Sequence, residues 1–330
     1  MALRGMEIDA DGERLGSRQA VLALTLGLGL VTFDLLDSGQ WAHEICRFTL
    51  GLVERGYSTG CSRGERGEVW VYRTGRAPEV DAWMVPLVFL DVVNCVVRRK
   101  LPVCRLEMGM ETGRYVDKYL GVCVELLAPL FDLCRLGQEL GTLDTRSRGD
   151  TKTARATILG ELEDIEDTVL RWNPRALKDF TLTSTLNEAR AVEIQAKIFR
   201  AATLLTIHRL RYGFGTRDAE AKQLSQAIFI EINELYPRIS PSSGQDEDNN
   251  PSLYYRLSFP LFVAAIEVQD SEERVFILDM LPIIVCEKIY PKVSNRLRQA
   301  MSLFWEARDC RCCMDYTDLV PTSLVPLVLF

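Results

Sequence analysis

Along most of this chain, apolar residues recur at the three- and four-residue steps of an α-helix, and the runs mark out roughly ten helices. The cleanest is Ala154–Trp172, where Ile158, Leu162, Ile165, Val169 and Trp172 form one seam before Asn173-Pro174 stops it. Trp41, Ile45, Phe48 and Leu52 mark a second helix face, and Leu297, Met301, Phe304 and Trp305 another within Ser294–Arg308. A long helix is predicted from about Asn187 to Tyr212, with Ile194, Ile198, Ala201, Ala202 and Leu205 on its inner side and Gly213-Phe214-Gly215 ending it. Gln223–Leu235 continues the pattern. Val80–Val97 is apolar almost throughout, broken by Pro86 and closed by Arg98-Arg99-Lys100, whose charges suit a helix C-terminus. Val116–Leu136 is expected to be helical, with Leu120, Cys123, Leu127, Leu130 and Cys134 inward.

The stretch Leu257–Tyr290 predicts two helices joined by Gln269-Asp270-Ser271. Ser258 and Ser271 are the expected N-caps, Pro260 fits a first turn, and Glu272 and Glu273 suit the positive end of the second helix. From Leu261 to Val268 only Glu267 is not apolar, so that helix should be buried on most sides. Its acid then needs a partner, either Arg274 or a residue of another helix. The second helix should turn Val275, Leu278, Leu281 and Val285 inward, with a kink at Pro282.

Other segments interrupt the helices. Gly56–Pro78 is glycine-rich and charged, and is expected to be irregular, with Glu68–Thr74 a short strand lacking an obvious mate. Leu101-Pro102 begins a connector; Gly137–Asp150 and Ser240–Pro251 are expected loops. In Ala20–Asp34 leucines alternate at 22, 24, 26, 28 and 30 as in a strand. The run is nevertheless long and poor in β-branched residues, so a buried helix is expected. Together these segments predict an all-α fold: a flexible leader over 1–18, a single large domain of packed antiparallel helices over 19–318, and an apolar tail over 319–330.

Charge and cysteine content narrow the function classes. The net charge of −7 lacks the basic excess of a nucleic-acid-binding module. The fourteen uncharged residues Ala20–Phe33 fall short of the ~20 of a membrane span, and the acids before them do not suit a signal peptide, so no membrane is expected. Ten scattered cysteines, several within apolar helices, suggest buried thiols in a reducing compartment. Cys310-Arg311-Cys312-Cys313 reads as a free-thiol cluster, and no metal or other cofactor is expected.

Candidate chemistry is thin. His43 and His208 stand in no catalytic motif, and there is no phosphate-binding glycine loop. Glu161, Glu163, Asp164, Glu166 and Asp167 share one helix, and Asp164 with Asp167 has the one-turn spacing that could share Mg²⁺ and a diphosphate, as in terpene-synthase-type helical enzymes. The inward seam of that helix leaves the acids on its flanks, where Arg155 and Arg171 can screen them. No catalytic, cofactor-binding or metal residue is therefore assigned, and a non-enzyme is expected.

The order of segments resembles the fungal-specific transcription factor domain, the regulatory region of fungal zinc binuclear cluster regulators. The resemblance lies in FDLLDSGQWAHEICRFTLGLVERG (33–56), FLDVVNCVVRRKLP (89–102), YVDKYLGVCVELLAPLFDLCRL (115–136), LEDIEDTVLRWNP (162–174), EIQAKIFRAATLLTIHRL (193–210), FPLFVAAIEVQDSEER (259–274) and LFWEARD (303–309). It implies an all-helical regulatory domain in the nucleus, working through transcription machinery, another regulator or an effector, with homo- or heterodimers among its options, and it implies no catalytic residues. The family's six-cysteine DNA-binding array has no counterpart, since the first cysteine is Cys46 within a helix. Direct DNA binding by this chain alone is not expected.

Overall fold

The computed structural model describes residues 17–37, 41–56, 61–63, 69–75, 77–109, 116–117, 119–144, 151–174, 176–239, 257–285, 287 and 290–310. The expected leader up to residue 16, the loop at 240–251 and the apolar tail fall outside these, as do Ser38-Gly39, Cys312 and Cys313. The described residues form an all-α domain with one small sheet.

Two helices, α1 (Ser17–Asp37) and α2 (Ala42–Gly56), pack on each other and on α3 (Pro78–Arg98). Gly27 lets α1 and α2 approach closely, because a Cβ there would stand 2.3 Å from Thr49 Oγ1. One face of α1 is buried through Leu24, Val31 and Leu35. The other is not, which corrects the expectation of a buried helix: Leu22, Leu26, Leu30 and Phe33 form an open stripe, Phe33 at 69 % exposure. By length and apolarity alone α1 and α3 could each cross a membrane, but α3 is mostly enclosed by protein and carries buried Asp81, Asp91 and Asn94.

The glycine-rich excursion is less irregular than expected. Strands β1 (Cys61–Arg63), β2 (Trp70–Arg73) and β3 (Cys104–Glu107) form a three-stranded sheet in that order, β1–β2 antiparallel and β2–β3 parallel. The strand at 70–73 thus has two mates, one of them beyond Pro102 and reached through α3 as a crossover helix. Tyr72 donates to Asp81 Oδ1 at 2.6 Å and Gly75 N–H donates to Asp81 Oδ2 at 2.8 Å, fastening the sheet to the first turn of α3. Burial holds the Asp81 carboxyl above its ordinary pKa, although both hydrogen bonds act to lower it.

Val116–Leu136 is not one helix. Asp117 and Gly121 exchange backbone hydrogen bonds of 2.8 and 2.9 Å around a turn, and Gly121 sits at φ +56°. A 3-10 turn, Cys123–Leu126, leads into α4 (Leu127–Asp144), which runs well into the expected loop. The predicted inner face is correct nonetheless, with Leu120, Cys123, Leu127, Leu130 and Cys134 all buried.

Next come α5 (Thr151–Arg171), α6 (Ala176–Thr183) and α7 (Leu186–Arg211). The α5 seam is inward as predicted, with Leu162 and Val169 fully buried. Thr185 and Glu188 close a reciprocal capping box at the start of α7. This long helix is packed by α4, α5, α6, α8 (Asp218–Ile239) and α9 (Ser258–Ala265), and so forms the axis of the second half of the domain.

Helix α9 is buried at every position, as its composition demands. It ends at Ala265, three residues before the predicted end, and Leu257 is its N-cap; Ser258 lies inside the helix with its hydroxyl buried. In α10 (Ser271–Ile284) the cap is Asp270, whose carboxylate accepts from Glu272 N and Glu273 N at 2.8 and 3.0 Å. The inward residues are Ile277, Met280, Leu281 and Ile284, while Val275 is 59 % exposed. Helix α11 (Pro291–Asp309) closes the order. Its Leu297, Met301, Phe304 and Trp305 are buried as predicted, and its Arg296 donates to the Leu35 carbonyl near the end of α1.

Candidate functional site

Where α7, α9 and α11 meet, the structure buries charge. Arg209 is the largest fully buried side chain among the described residues. Its Nε and Nη2 donate to the two carboxylate oxygens of Glu267 at 2.8 and 2.5 Å, and Nη2 also reaches Asp218 Oδ1 at 2.8 Å. Arg308 of α11 approaches the same acids, 3.6 Å from Glu267 and 3.8 Å from Asp218. The two guanidiniums lie 4.7 and 4.6 Å from the ring centre of Phe214, whose electron-rich face attracts both charges. Of the two partners expected for Glu267, the one on another helix is therefore realised, while Arg274 pairs with Asp309 at 2.7 Å.

This network is the floor of a cleft of about 490 Å³ between α8 and α10. Its walls are largely apolar, with Phe229, Ile230, Phe276 and Ile277 along the two helices, and Lys222 and Glu273 at the rim. Ser225 donates to the Ala264 carbonyl at 2.9 Å, pinning α8 to α9 beneath it. An apolar pocket with a few fixed polar groups is the general form of a small-molecule site. Charge at its floor is held by internal partners, so it favours a ligand with an apolar body and a polar end over a highly charged one.

The acids of α5 turn to different partners. Asp164 and Asp167 are both exposed, and Asp167 pairs with Arg171 at 3.5 Å. Glu161 is engaged by Arg135, and Glu166 by Arg211. Asp164 alone reaches a groove of about 740 Å³ that also holds Glu107, Glu125 and Asp132. There Arg105 binds Asp132 at 3.1 and 2.9 Å and Glu107 at 3.0 Å, and Trp172 donates to Glu125 at 2.7 Å. Asp164 and Asp167 do not converge on one cavity, which is the geometry that two-carboxylate Mg²⁺ chemistry requires.

Neither histidine forms a nucleophile–base pair. His208 Nε2 faces the Arg217 carbonyl at 3.1 Å, and burial together with Arg209 lowers its pKa. His43 Nδ1 lies 2.8 Å from Asp91 Oδ1 and 3.8 Å from Cys95 Sγ, so acid and thiol meet the same ring nitrogen. A Cys–His–Asp relay needs them on opposite nitrogens. Burial pushes the Cys95 thiol well up, as it does those of Cys46, Cys123 and Cys134, so without a metal none of the four is a ready nucleophile. Cys310 is exposed.

Residues 87–324 match the family model for the fungal specific transcription factor domain. The chain belongs to that family. The match spans more than half of the sequence and includes α7 to α11 with the cleft and its charged floor; of the similar segments, only 33–56 precedes it. No curated protein and no solved structure matches the chain. Membership in this family makes the domain transcription-regulatory.

The cleft was not foreseen from sequence. Its one advance signal was Glu267, an acid in an otherwise apolar run. Phe276 and Ile230 gave none, because an exposed apolar residue beside a pocket looks in sequence like a core position.

Proposed function

We propose that this chain is the regulatory part of a zinc-cluster-type transcription system, acting in the nucleus by binding an effector and a protein partner. The observation carrying this proposal is the α8–α10 cleft, a preformed apolar pocket whose floor residues Asp218, Glu267 and Arg308 join the network around Arg209 of α7. A ligand seated there touches α8, α10, α11 and the Glu267–Gln269 link, and through Asp218, Glu267 and Arg308 it meets the network that holds Arg209 of α7. Its binding can thus bias how those helices pack, which is what a regulatory domain needs.

Contact with DNA falls to another segment or another protein. The sequence has no cysteine-rich basic array, and its net charge of −7 opposes approach to phosphate. The open stripe Leu22, Leu26, Leu30 and Phe33 on α1 is the surface offered to a protein partner, whether a component of the transcription machinery, another regulator or a second copy of the chain.

Cell fractionation with chromatin occupancy tests this. The tagged full chain should be found in the nuclear fraction and at discrete chromosomal sites. A chain confined to the cytosol, with no chromatin association, would overturn the proposal.

A further inference from the structure

Between α2 and α3 three potential metal ligands of different chemistry converge: an imidazole, a carboxylate and a thiol. His43 Nδ1, Asp91 Oδ1 and Cys95 Sγ all lie within 4.8 Å of one another, the pairs separated by 2.8, 3.8 and 3.7 Å. We infer that His43, Asp91 and Cys95 form a binding site for a zinc-type divalent cation.

The distances carry this inference. Zinc sits about 2.0–2.1 Å from nitrogen, about 2.0–2.2 Å from a carboxylate oxygen and about 2.3 Å from sulfur. A point meeting all three radii exists just off the plane of the three atoms, without moving any of them. Three protein ligands leave a fourth, tetrahedral position for water. Nitrogen, oxygen and sulfur together suit a borderline cation of the zinc kind better than a hard one such as Mg²⁺.

The surroundings orient the ligands. Asp91 and Cys95 are four residues apart on α3, so both side chains leave the same face of the helix. The second oxygen of Asp91 accepts from the buried Val103 N–H at 2.6 Å, which fixes the carboxylate and leaves Oδ1 free to face the imidazole. Access is provided by His43, whose side chain is 23 % exposed.

Without metal, Arg47 Nη2 lies 3.2 Å from His43 Nε2 and can only donate. Nε2 therefore accepts, and Nδ1 holds the proton that it shares with Asp91. Metal binding releases the Cys95 thiol proton to solvent and transfers the imidazole proton from Nδ1 to Nε2. Arg47, which is exposed, then leaves Nε2. The bound ion joins α2 to α3 through bonds far stiffer than the present hydrogen bonds.

The test uses the purified full chain, stripped with a chelator, then loaded with Zn²⁺ or with Co²⁺ as a spectroscopic probe. One equivalent of Zn²⁺ should survive dialysis and raise the melting temperature. Co²⁺ should give visible bands with a thiolate-to-cobalt absorption in the near ultraviolet. Changing His43→Gln, at a partly exposed position that should leave the fold intact by circular dichroism, should weaken binding by at least about tenfold, the lower end of what even outer-sphere changes cost. Cys95→Ala should abolish the near-ultraviolet absorption. A triple variant with Cys310, Cys312 and Cys313 changed to Ser should bind as the parent does. Failure to retain Zn²⁺, unchanged affinity in folded His43→Gln, or loss of binding only in the triple variant would each overturn the inference.

Discussion

Arg209 of α7 and Glu267, in the turn that follows α9, are fifty-eight residues apart in sequence, and their side chains meet in a two-bond pair with only 1 % and 2 % of their surfaces exposed. Such a pair holds geometry more than it adds stability, because desolvating both charges offsets much of their attraction. Removing one partner is another matter. Glu267→Ala leaves Arg209 in the core without the carboxylate that takes two of its hydrogen bonds, and should cost about 3–5 kcal/mol. Arg209→Met combined with Glu267→Leu should recover most of that loss. Urea unfolding of the two variants beside the parent checks both expectations.

Phe262 tests where the core lies. It is fully buried in α9 and meets Phe304 of α11 edge-on, with ring centres 5.6 Å apart. Phe262→Ala should cost about 3–5 kcal/mol, a large part of the ~5–15 kcal/mol of a whole domain. A thermal melt like that of the parent would place the core elsewhere.

The helical framework was legible from local periodicity. The seam of α5 and the inward face of α11 could be read directly, because each depends on residues three and four apart. Pairing over longer distances was not legible. The strand at 70–73 seemed unmatched because its parallel mate begins at Cys104, beyond the whole of α3. The start of α4 was misplaced because Gly121 takes a left-handed conformation, and a Cβ there would lie 2.6 Å from Gln195 Oε1 on α7, a contact no local pattern reveals. On α10, Val275 and Ile277 are equally apolar, and only the docked position of the helix shows which faces in. The cleft was hidden for the same reason, since its walls come from α8 and α10 and its floor from Asp218, Glu267 and Arg308, far apart in sequence.

Asp81 gives a pH-dependent expectation. Its folded pKa is raised, so this group lowers stability as pH climbs from the ordinary carboxylate range through the folded value. Tyr72→Phe removes a hydrogen bond that opposes the shift, so it should raise that pKa further. The variant should lose about 1.5–3 kcal/mol near neutral pH, where the bond is made to a charged carboxylate. The deficit should shrink as pH falls below the ordinary range, where Asp81 is protonated in both folded and unfolded chains. Urea midpoints at neutral and acidic pH would show this, and an equal deficit at both would contradict it.

The exposed acids of α5 should be chemically idle. Asp164→Asn with Asp167→Asn should change stability by no more than about 0.5 kcal/mol, as ordinary surface positions do. A Mg²⁺-dependent activity lost in that double variant would instead show that the groove beside Asp164 is catalytic.

Transcription itself gives the most direct test of a regulatory domain. The full chain, fused to an unrelated DNA-binding module and directed to a reporter promoter, should change transcription relative to the module alone. Phe276→Glu, which places a charge in the α8–α10 cleft, should shift that response while the protein remains folded and abundant. A folded, nuclear fusion that leaves the reporter at the level of the module alone, with and without Phe276→Glu, would contradict a role in transcriptional regulation.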